Sequence, residues 1–235
     1  VMGNKMVEFL PQMVPMLVEV ASTSDLSSDP PEEDDDDEAD DDDSQGNLWI
    51  NMETGFINSK KAAITALGNL AEAGGAAFAP YLNRVIPALI DAPGSGVNSW
   101  HSEVKCEAIE ILPMIMEVVL RAQGITEDPA PGVQLAMNPD TMRLVLSIAA
   151  AYLEALEEPS KVVVSAACEA MAKMLDRVGI SLLSVQLQPN STAQAQQGTA
   201  DVLVGKILLD RLYELLDGKA TCQEAGAGEE GDEED

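Results

Sequence analysis

Apolar residues recur at three- and four-residue spacing along most of the chain, which is the pattern of amphipathic helices. The clearest case lies between a capping residue, Asn58 or Ser59, and the stop signal Gly74-Gly75. The spacing therefore predicts a helix from Ser59 to Gly74. Its apolar stripe consists of Ala63, Ile64, Leu67, Leu70 and Ala71.

Prolines and glycines divide the rest of the pattern into further helices. Pro11 favours a break near Phe9 and a new helix start, whereas Pro15 and Pro113 lie inside apolar stripes and predict kinks. Pro80 suits the first turn of another helix. The predicted helices span 11–20, 80–90, 98–120, 142–156, 163–178 and 200–217. Six methionines are interpreted as core filling, with an exposed subset as the alternative: Met13, Met16, Met114, Met116, Met171 and Met174.

Short connections predict that successive helices form antiparallel pairs, and two segments look alike. Phe9-Leu10-Pro11 precedes Pro15-Met-Leu-Val-Glu-Val, and Phe78-Ala79-Pro80 precedes Pro87-Ala-Leu-Ile-Asp-Ala. Because one helix pair cannot bury its apolar face alone, repeated pairs must stack, as in an α-solenoid. The composition agrees, because 46% of residues are hydrophobic but only 3% are aromatic. Such a mixture favours helix over sheet, and the predicted fold class is all-α.

The charge of the chain is concentrated in two short segments. The net charge is −28, yet 20 of the 41 acids lie in segments 25–43 and 224–235, which leaves 21 acids against 13 bases elsewhere. Clustered lysine and arginine, which phosphate binding requires, are missing from the sequence, so nucleic acid is not an expected partner. Basic proteins are the natural counterpart of such segments.

The segment 32–43 contains almost nothing but acids and cannot fold alone, because repulsion and the lack of apolar groups leave nothing to offset the entropy of ordering. It has no glycine or alternation that would shape a calcium site. Two interpretations remain open: a solubilising insert, or an anionic arm that attracts basic segments. The candidate arm residues are Glu32, Glu33, Asp34, Asp35, Asp36, Asp37, Glu38, Asp40, Asp41, Asp42 and Asp43. A second candidate arm holds Glu229, Glu230, Asp232, Glu233, Glu234 and Asp235.

The sequence shows no catalytic or metal-binding constellation, so no catalytic residue, metal or cofactor is predicted. His101 is the only histidine, and we interpret it as a residue at the start of a helix. The three cysteines, Cys106, Cys168 and Cys222, show no paired spacing and are expected to be reduced. Helix termination explains Gly74-Gly75 and Gly94-Ser-Gly96 better than phosphate binding does. No stretch is long and apolar enough to predict a membrane span.

Several motifs resemble the importin-β (karyopherin-β) family of nuclear transport receptors, most closely its importin-four and yeast Kap-type branch. The first is Ile57-Asn-Ser-Lys-Lys-Ala-Ala-Ile-Thr-Ala-Leu-Gly-Asn-Leu-Ala, followed by Ala77-Phe-Ala-Pro-Tyr-Leu. The others are His101-x-x-Val104-Lys105 and Lys219-Ala-Thr-Cys-Gln-Glu. The family's pattern is matched by Lys60, Ala66, Leu67, Gly68, Phe78, Pro80 and Tyr81. It is not matched at Ser59 and Lys61, where the family usually has acids, at Lys105, where arginine is common, or in the longer loop 93–97.

The resemblance implies a HEAT-repeat segment of a nuclear import receptor. Implied cargoes are basic proteins such as histones and ribosomal proteins, with release by the GTP-bound GTPase Ran, contacts with nucleoporins, and shuttling between cytoplasm and nucleus. Residues 1–235 would form one continuous HEAT-repeat segment of a longer solenoid. Its expected irregular parts are an acidic loop at 21–46, inter-helix loops at 122–138 and 181–198, and an acidic tail or loop at 218–235. The alternative is a HEAT-type scaffold or histone chaperone that acts independently of Ran.

Overall fold

The computed structural model describes residues 6–23, 43–130, 133–183, 186–187 and 202–224. The chain divides into two compact units, Val1–Ile111 and Leu112–Asp235. Helices are the main secondary structure of the described residues, and the strands described there are limited to one antiparallel pairing of two residues on each side, which confirms the predicted helical class. None of the described helices combines the length and apolar character needed to cross a membrane.

The first unit begins with helix α1, Leu10–Ser22, whose first turn contains Pro11. The predicted break near Phe9 is confirmed, because Phe9 precedes the helix as its N-cap. Proline is tolerated in a first turn, where its missing N–H would have no helical acceptor. Leu10, Val14 and Ala21 form the buried side of α1.

Helix α2 spans Asp43–Gly74 and is much longer than the sequence pattern predicts. The predicted start and cap at Asn58 or Ser59 are wrong, because Ser59 Oγ instead donates to Gly55 O, 2.8 Å away, within the helix. No proline interrupts 44–58, and a helix that has formed extends easily through residues of ordinary propensity. The predicted stripe is confirmed: Ala63, Ile64, Leu67, Leu70 and Ala71 are all buried.

Helices α1 and α2 are antiparallel. Gly74, the last residue of α2, lies beside the start of α1, since a Cβ there would come within 3.6 Å of Leu10 Cδ1. The predicted stop is also confirmed, because Gly75 has a φ of 50°, in the left-handed region that favours glycine.

The stretch predicted as one helix over 80–90 instead contains three different helical turns. A 3₁₀ segment, Gly75–Tyr81, leads into a short α3, Leu82–Ile86, and then into a π turn, Pro87–Asp91. The prolines explain the difference, because Pro80 and Pro87 lack the N–H that an α-helix needs at each residue. The π turn is closed by Ala92 N–H, which donates to Pro87 O at 2.9 Å. Buried side chains along this stretch are Phe78, Val85, Ala88 and Leu89.

A 3₁₀ turn, Gly96–Asn98, precedes helix α4, Ser102–Ala122, which contains the division between the two units. The sequence predicts a helix start near residue 98, a few residues too early. The predicted apolar residues Val104, Ala108, Ile111, Leu112 and Ile115 are buried.

The second unit contains helices α5, Pro139–Leu156, and α6, Lys161–Val178, close to their predicted bounds. The side chain of Asn138 caps α5 by accepting a hydrogen bond from Thr141 N–H at 2.8 Å. The link between α5 and α6 is so short that the two must run antiparallel. Their facing side chains include Val145, Ile148, Ala149, Tyr152, Leu156, Val163, Ala167, Ala170, Met174 and Val178, all buried.

The rest of the second unit is more irregular. After Gly179 come α7, Ile180–Leu183, and strand β1, Gln186–Leu187, within the segment predicted as a loop. β1 pairs antiparallel with β2, Val202–Leu203, with Gln186 opposite Leu203 and Leu187 opposite Val202. Helices α8, Val204–Leu216, and α9, Thr221–Glu224, follow. The second of these lies in the segment predicted as an acidic tail.

Candidate functional site

The predicted acidic arms lie outside the described residues. The first comprises Glu32, Glu33, Asp34, Asp35, Asp36, Asp37, Glu38, Asp40, Asp41 and Asp42; the side chain of Asp43 is also outside, although its backbone begins α2. The second comprises Glu229, Glu230, Asp232, Glu233, Glu234 and Asp235. In sequence, the first arm connects the antiparallel helices α1 and α2, and the second follows α9.

Two polar contacts, one helical turn apart, connect α2 to the start of α4. Lys61 Nζ lies 2.5 Å from Glu103 Oε2, and Thr65 Oγ1 lies 2.7 Å from Glu107 Oε2. Both contacts join residues 42 positions apart. Because the second contact lies one helical turn further along both helices, α2 and α4 run parallel here in a fixed register.

The Lys61–Glu103 pair is mutually supporting but largely exposed. The hydrogen bond from Lys61 lowers the pKa of the Glu103 carboxyl, and the same bond raises the pKa of the Lys61 ammonium. The Glu103 side chain is nevertheless 66% exposed, so water competes for both groups. Exposed pairs of this kind contribute little to stability. The pair is nevertheless informative, because its position shows which residues of α2 and α4 lie side by side.

Lys60, next to this pair, is completely buried. Its ammonium donates to Gly94 O at 3.2 Å and lies 5.1 Å from the centre of the Phe56 ring. A buried charge requires such polar and aromatic contacts to offset its lost hydration. Lys60 therefore attaches the loop after the π turn to α2.

The same loop is folded back onto the π turn. Ser95 Oγ donates to Ala88 O at 3.2 Å, and Asn98 Nδ2 donates to Ile90 O at 2.7 Å. Gly96, with a φ of 55°, is so close to Leu89 that a Cβ would lie 2.1 Å from its carbonyl oxygen. These contacts explain Gly96 as a packing residue, in agreement with the sequence interpretation of this loop.

The second unit has a more enclosed cluster of charges around Arg177, which we call the Arg177 cluster: Glu117, Asp128 and Arg177. The guanidinium donates from Nε to Glu117 and from Nη1 to Asp128. Partial burial acts to lower the pKa of Arg177, but the hydrogen bonds to Asp128 and Glu117 outweigh it and raise the pKa. Among the described residues, Nη2 has no hydrogen-bond acceptor. The cluster joins the end of α6 to α4 and to the loop before α5.

His101 and the cysteines occupy packing positions. The backbone N–H of His101 donates to Ser99 Oγ at 3.2 Å, and its carbonyl accepts from Lys105 N–H at 3.0 Å, which confirms a place at the start of a helix. Cys106 and Cys222 are buried, Cys168 is half-buried, and all three are free. Burial raises the pKa of the Cys106 and Cys168 thiols. The described part of the chain holds no group of three acidic, histidine or cysteine side chains arranged for a metal ion.

Two features were not predicted from the sequence: the burial of Lys60 and the exposure of Met13 and Met16. The burial of Lys60 could have been predicted from the sequence. Lys60 lies three, four and seven residues before the buried Ala63, Ile64 and Leu67, which places it on the same face of the helix. Of the six methionines, Met13 and Met16 are 40% and 67% exposed and so belong to the exposed alternative rather than to the core. Met116, Met171 and Met174 are buried as predicted, and Met114 is half-buried.

No protein-family model matches the chain, and no significant match was found among curated proteins.

Proposed function

We propose that the chain is a segment of a karyopherin-β-like import receptor and that it binds basic proteins through its acidic arms. The function is binding rather than catalysis, and release of the cargo depends on GTP-bound Ran. Support comes from the helical architecture, the extreme charge of the two arms and the motifs that resemble this family.

The observation that carries the proposal is the register of α2 against α4. Two successive contacts at a separation of 42 residues support the proposal that these parallel helices are equivalent members of consecutive repeats. HEAT repeats have a period of about 40–47 residues and place equivalent helices side by side. Helix α1 precedes α2 and runs antiparallel to it, as the first helix of a two-helix repeat does.

The second unit also contains an antiparallel helix pair followed by a further helix. Helices α5 and α6 form an antiparallel pair, and Arg211 of α8 forms an ion pair with Glu157, next to the end of α5. A helix pair joined to the first helix of a following pair is the arrangement that an α-solenoid repeats. We therefore propose HEAT-type pairs in both units.

The acidic arms supply the attraction in this mechanism. Residues 24–42 connect Thr23 to α2 in sequence. A chain of this length can span roughly 3.3–3.6 Å per residue, which exceeds the ~8 Å Debye length at physiological salt even when both of its ends are fixed. Each exposed ion pair contributes only about 0–1 kcal/mol, so binding depends on many weak contacts with a basic partner. Such an arm increases the association rate more than it slows dissociation, and its effect is strong at low salt.

Deleting residues 32–43 tests the role of the first arm. We expect a slower association with a histone-tail peptide and a flatter dependence of the rate on salt, measured by stopped-flow fluorescence at several ionic strengths. A matched control of the same length, with the eleven acids of this segment replaced by Asn and Gln, separates charge from loop length and should behave like the deletion. Unchanged kinetics at low salt for both variants would overturn the arm hypothesis.

Ran separates the proposed receptor from a scaffold or histone chaperone. The chain is loaded with the same peptide and challenged with Ran locked in the GTP or the GDP form. We expect the GTP form to release peptide and the GDP form to leave it bound. Peptide release that is the same with both forms of Ran would favour the Ran-independent scaffold. The same assay with the full-length receptor shows whether the residues that contact Ran lie in this segment.

A further inference from the structure

Two of the free cysteines, Cys168 and Cys222, belong to helices of the second unit that pack against each other. Cys168 lies in the middle of α6, and Cys222 lies in α9, which contacts α6. The two residues are far apart in the sequence, so their spacing gives no sign of a pair. The fold brings together the elements that carry them.

The side chain of Cys222 is turned towards α6. Cys222 is only 4% exposed, and Ala220, just before α9, is buried as well, whereas Thr221 between them is exposed. A helix of four residues that packs against α6 buries a side chain mainly in that contact. The Cys222 thiol therefore lies at the surface of α6.

The Cys168 thiol is a close neighbour of the Cys222 thiol. Cys168 is half-buried and lies one turn from the buried Val164 and one turn from the buried Met171. Burial raises the pKa of the Cys168 thiol, and the Cys222 thiol raises this pKa further. A second thiol has that effect only at short range, because its negative charge repels the Cys168 thiolate.

The turn between α8 and α9 keeps Cys222 in this place. Gly218 has a φ of 71°, in the left-handed region, and its N–H donates to Leu215 O at 3.3 Å. Lys219 N–H donates to Glu214 O at 2.9 Å. These two bonds form a Schellman motif, which ends α8 with a defined change of direction. Because Cys222 follows this turn by only a few residues, the direction of the turn positions it beside α6.

We propose that Cys168 and Cys222 form a reversible disulfide when the chain reacts with a small disulfide such as oxidised glutathione. The thiolate of Cys168, which is the more exposed of the two, attacks one sulfur of glutathione disulfide and releases one glutathione thiolate. The thiolate of Cys222 then attacks the Cys168 sulfur of this mixed disulfide and releases the second. The two protein thiols lose two electrons and two protons, and oxidised glutathione gains them to become two molecules of glutathione.

The bond would hold α9 against α6. A disulfide needs a sulfur–sulfur distance of about 2 Å, and a helix as short as α9 can shift by the small amount required. The second step is intramolecular, so the effective concentration of the attacking thiol is high. Since the second acidic arm follows α9 in sequence, the bond would also fix the point from which this arm starts. Formation of the bond does not depend on the proposed import function.

Peptide mapping of the whole chain tests the proposal. Cleavage after lysine and arginine leaves each cysteine on a peptide of its own, namely 106–121, 162–173 and 220–235. The chain is incubated with oxidised glutathione, remaining thiols are blocked with iodoacetamide, and the peptides are identified by mass spectrometry. We expect 162–173 to be joined to 220–235, so that of the three free thiols only that of Cys106 remains. Dithiothreitol should restore all three.

Variants with one cysteine removed identify the partners. Cys168→Ala and Cys222→Ala should each abolish the joined peptides, because the remaining cysteine has no second thiol to attack. Cys106→Ala is the matched control, since Cys106 is buried to a similar degree but belongs to the first unit. It should form the joined peptides to the same extent as the unaltered chain. Thermal melting followed by circular dichroism checks that the variants remain folded.

Three outcomes would overturn the proposal: an unaltered chain without joined peptides, glutathione that stays on Cys168 as a stable mixed disulfide, or a bond that joins two chains instead of two peptides of one chain. Hydrogen exchange checks the effect on α9. The bond should slow amide exchange in α9 several-fold, because it opposes the local opening that exposes these amides. Equal exchange rates in the oxidised and reduced chain would overturn the proposed attachment of α9 to α6.

Discussion

The Lys61–Glu103 pair and the Arg177 cluster consist of the same kinds of charged groups, but they differ in how much water surrounds them. The Glu103 side chain is 66% exposed, whereas that of Glu117, the acid that receives the Arg177 Nε hydrogen bond, is only 20% exposed. Lys61 makes one ion pair, while Arg177 connects two acids on different segments. Because water competes less for Glu117 than for Glu103, we expect the Arg177 cluster to contribute more to stability than the Lys61–Glu103 pair, although both connect separate segments of the chain.

Replacing Arg177 should have the larger effect of the two. Arg177→Ala leaves the half-buried Glu117 without one of its partners and releases the loop before α5, so we expect a loss of about 2–3 kcal/mol in the free energy of unfolding. Urea denaturation measures it. Arg177→Lys is the matched control, because it keeps the charge but cannot bridge two acids, and it should lose about half as much. An Arg177→Ala variant as stable as the unaltered chain would remove the contrast between the two sites.

Replacing Lys61 should lower the urea midpoint by a small but measurable amount, much less than replacing Arg177 does, because the pair is largely exposed. The small loss of stability in Lys61→Ala should depend on pH. The lowered pKa of Glu103 means that its contribution is present above the pKa of an unfolded glutamate, about 4.3, and is lost as pH falls. The raised pKa of Lys61 means that its contribution is lost as pH rises beyond that of an unfolded lysine, about 10.4.

Denaturation of Lys61→Ala and the unaltered chain at pH 3, 7 and 11 therefore checks the sign, with the largest difference expected at pH 7. Salt sharpens the comparison, because at 1 M the Debye length falls to about 3 Å and exposed pairs are screened more than enclosed ones. The effect of Arg177→Ala should survive at high salt. A Lys61→Ala variant that loses as much stability as Arg177→Ala would show that exposure does not separate the two sites.

The same contrast explains how much could be predicted from the sequence. Periodicity located the stripe from Ala63 to Ala71 and the pair α5 and α6, because a helix buries one face and its apolar residues must repeat with its turn. It missed the start of α2, because the residues before Ser59 carry no breaker and no strong pattern. It could not separate the exposed Met16 from the buried methionines, because an exposed apolar stripe has the same spacing as a buried one.

The sequence by itself determined the helical class, the position of most helices and the concentration of acids in two segments. These properties depend on neighbours within a few turns, where spacing, proline and charge act directly. Only the tertiary structure decided that Lys60 donates to Gly94 O, that Arg177 joins Glu117 and Asp128, and that α2 and α4 keep a 42-residue register. Those contacts join residues far apart in the chain, and the pairing of two charged side chains depends on helix packing that no local pattern specifies.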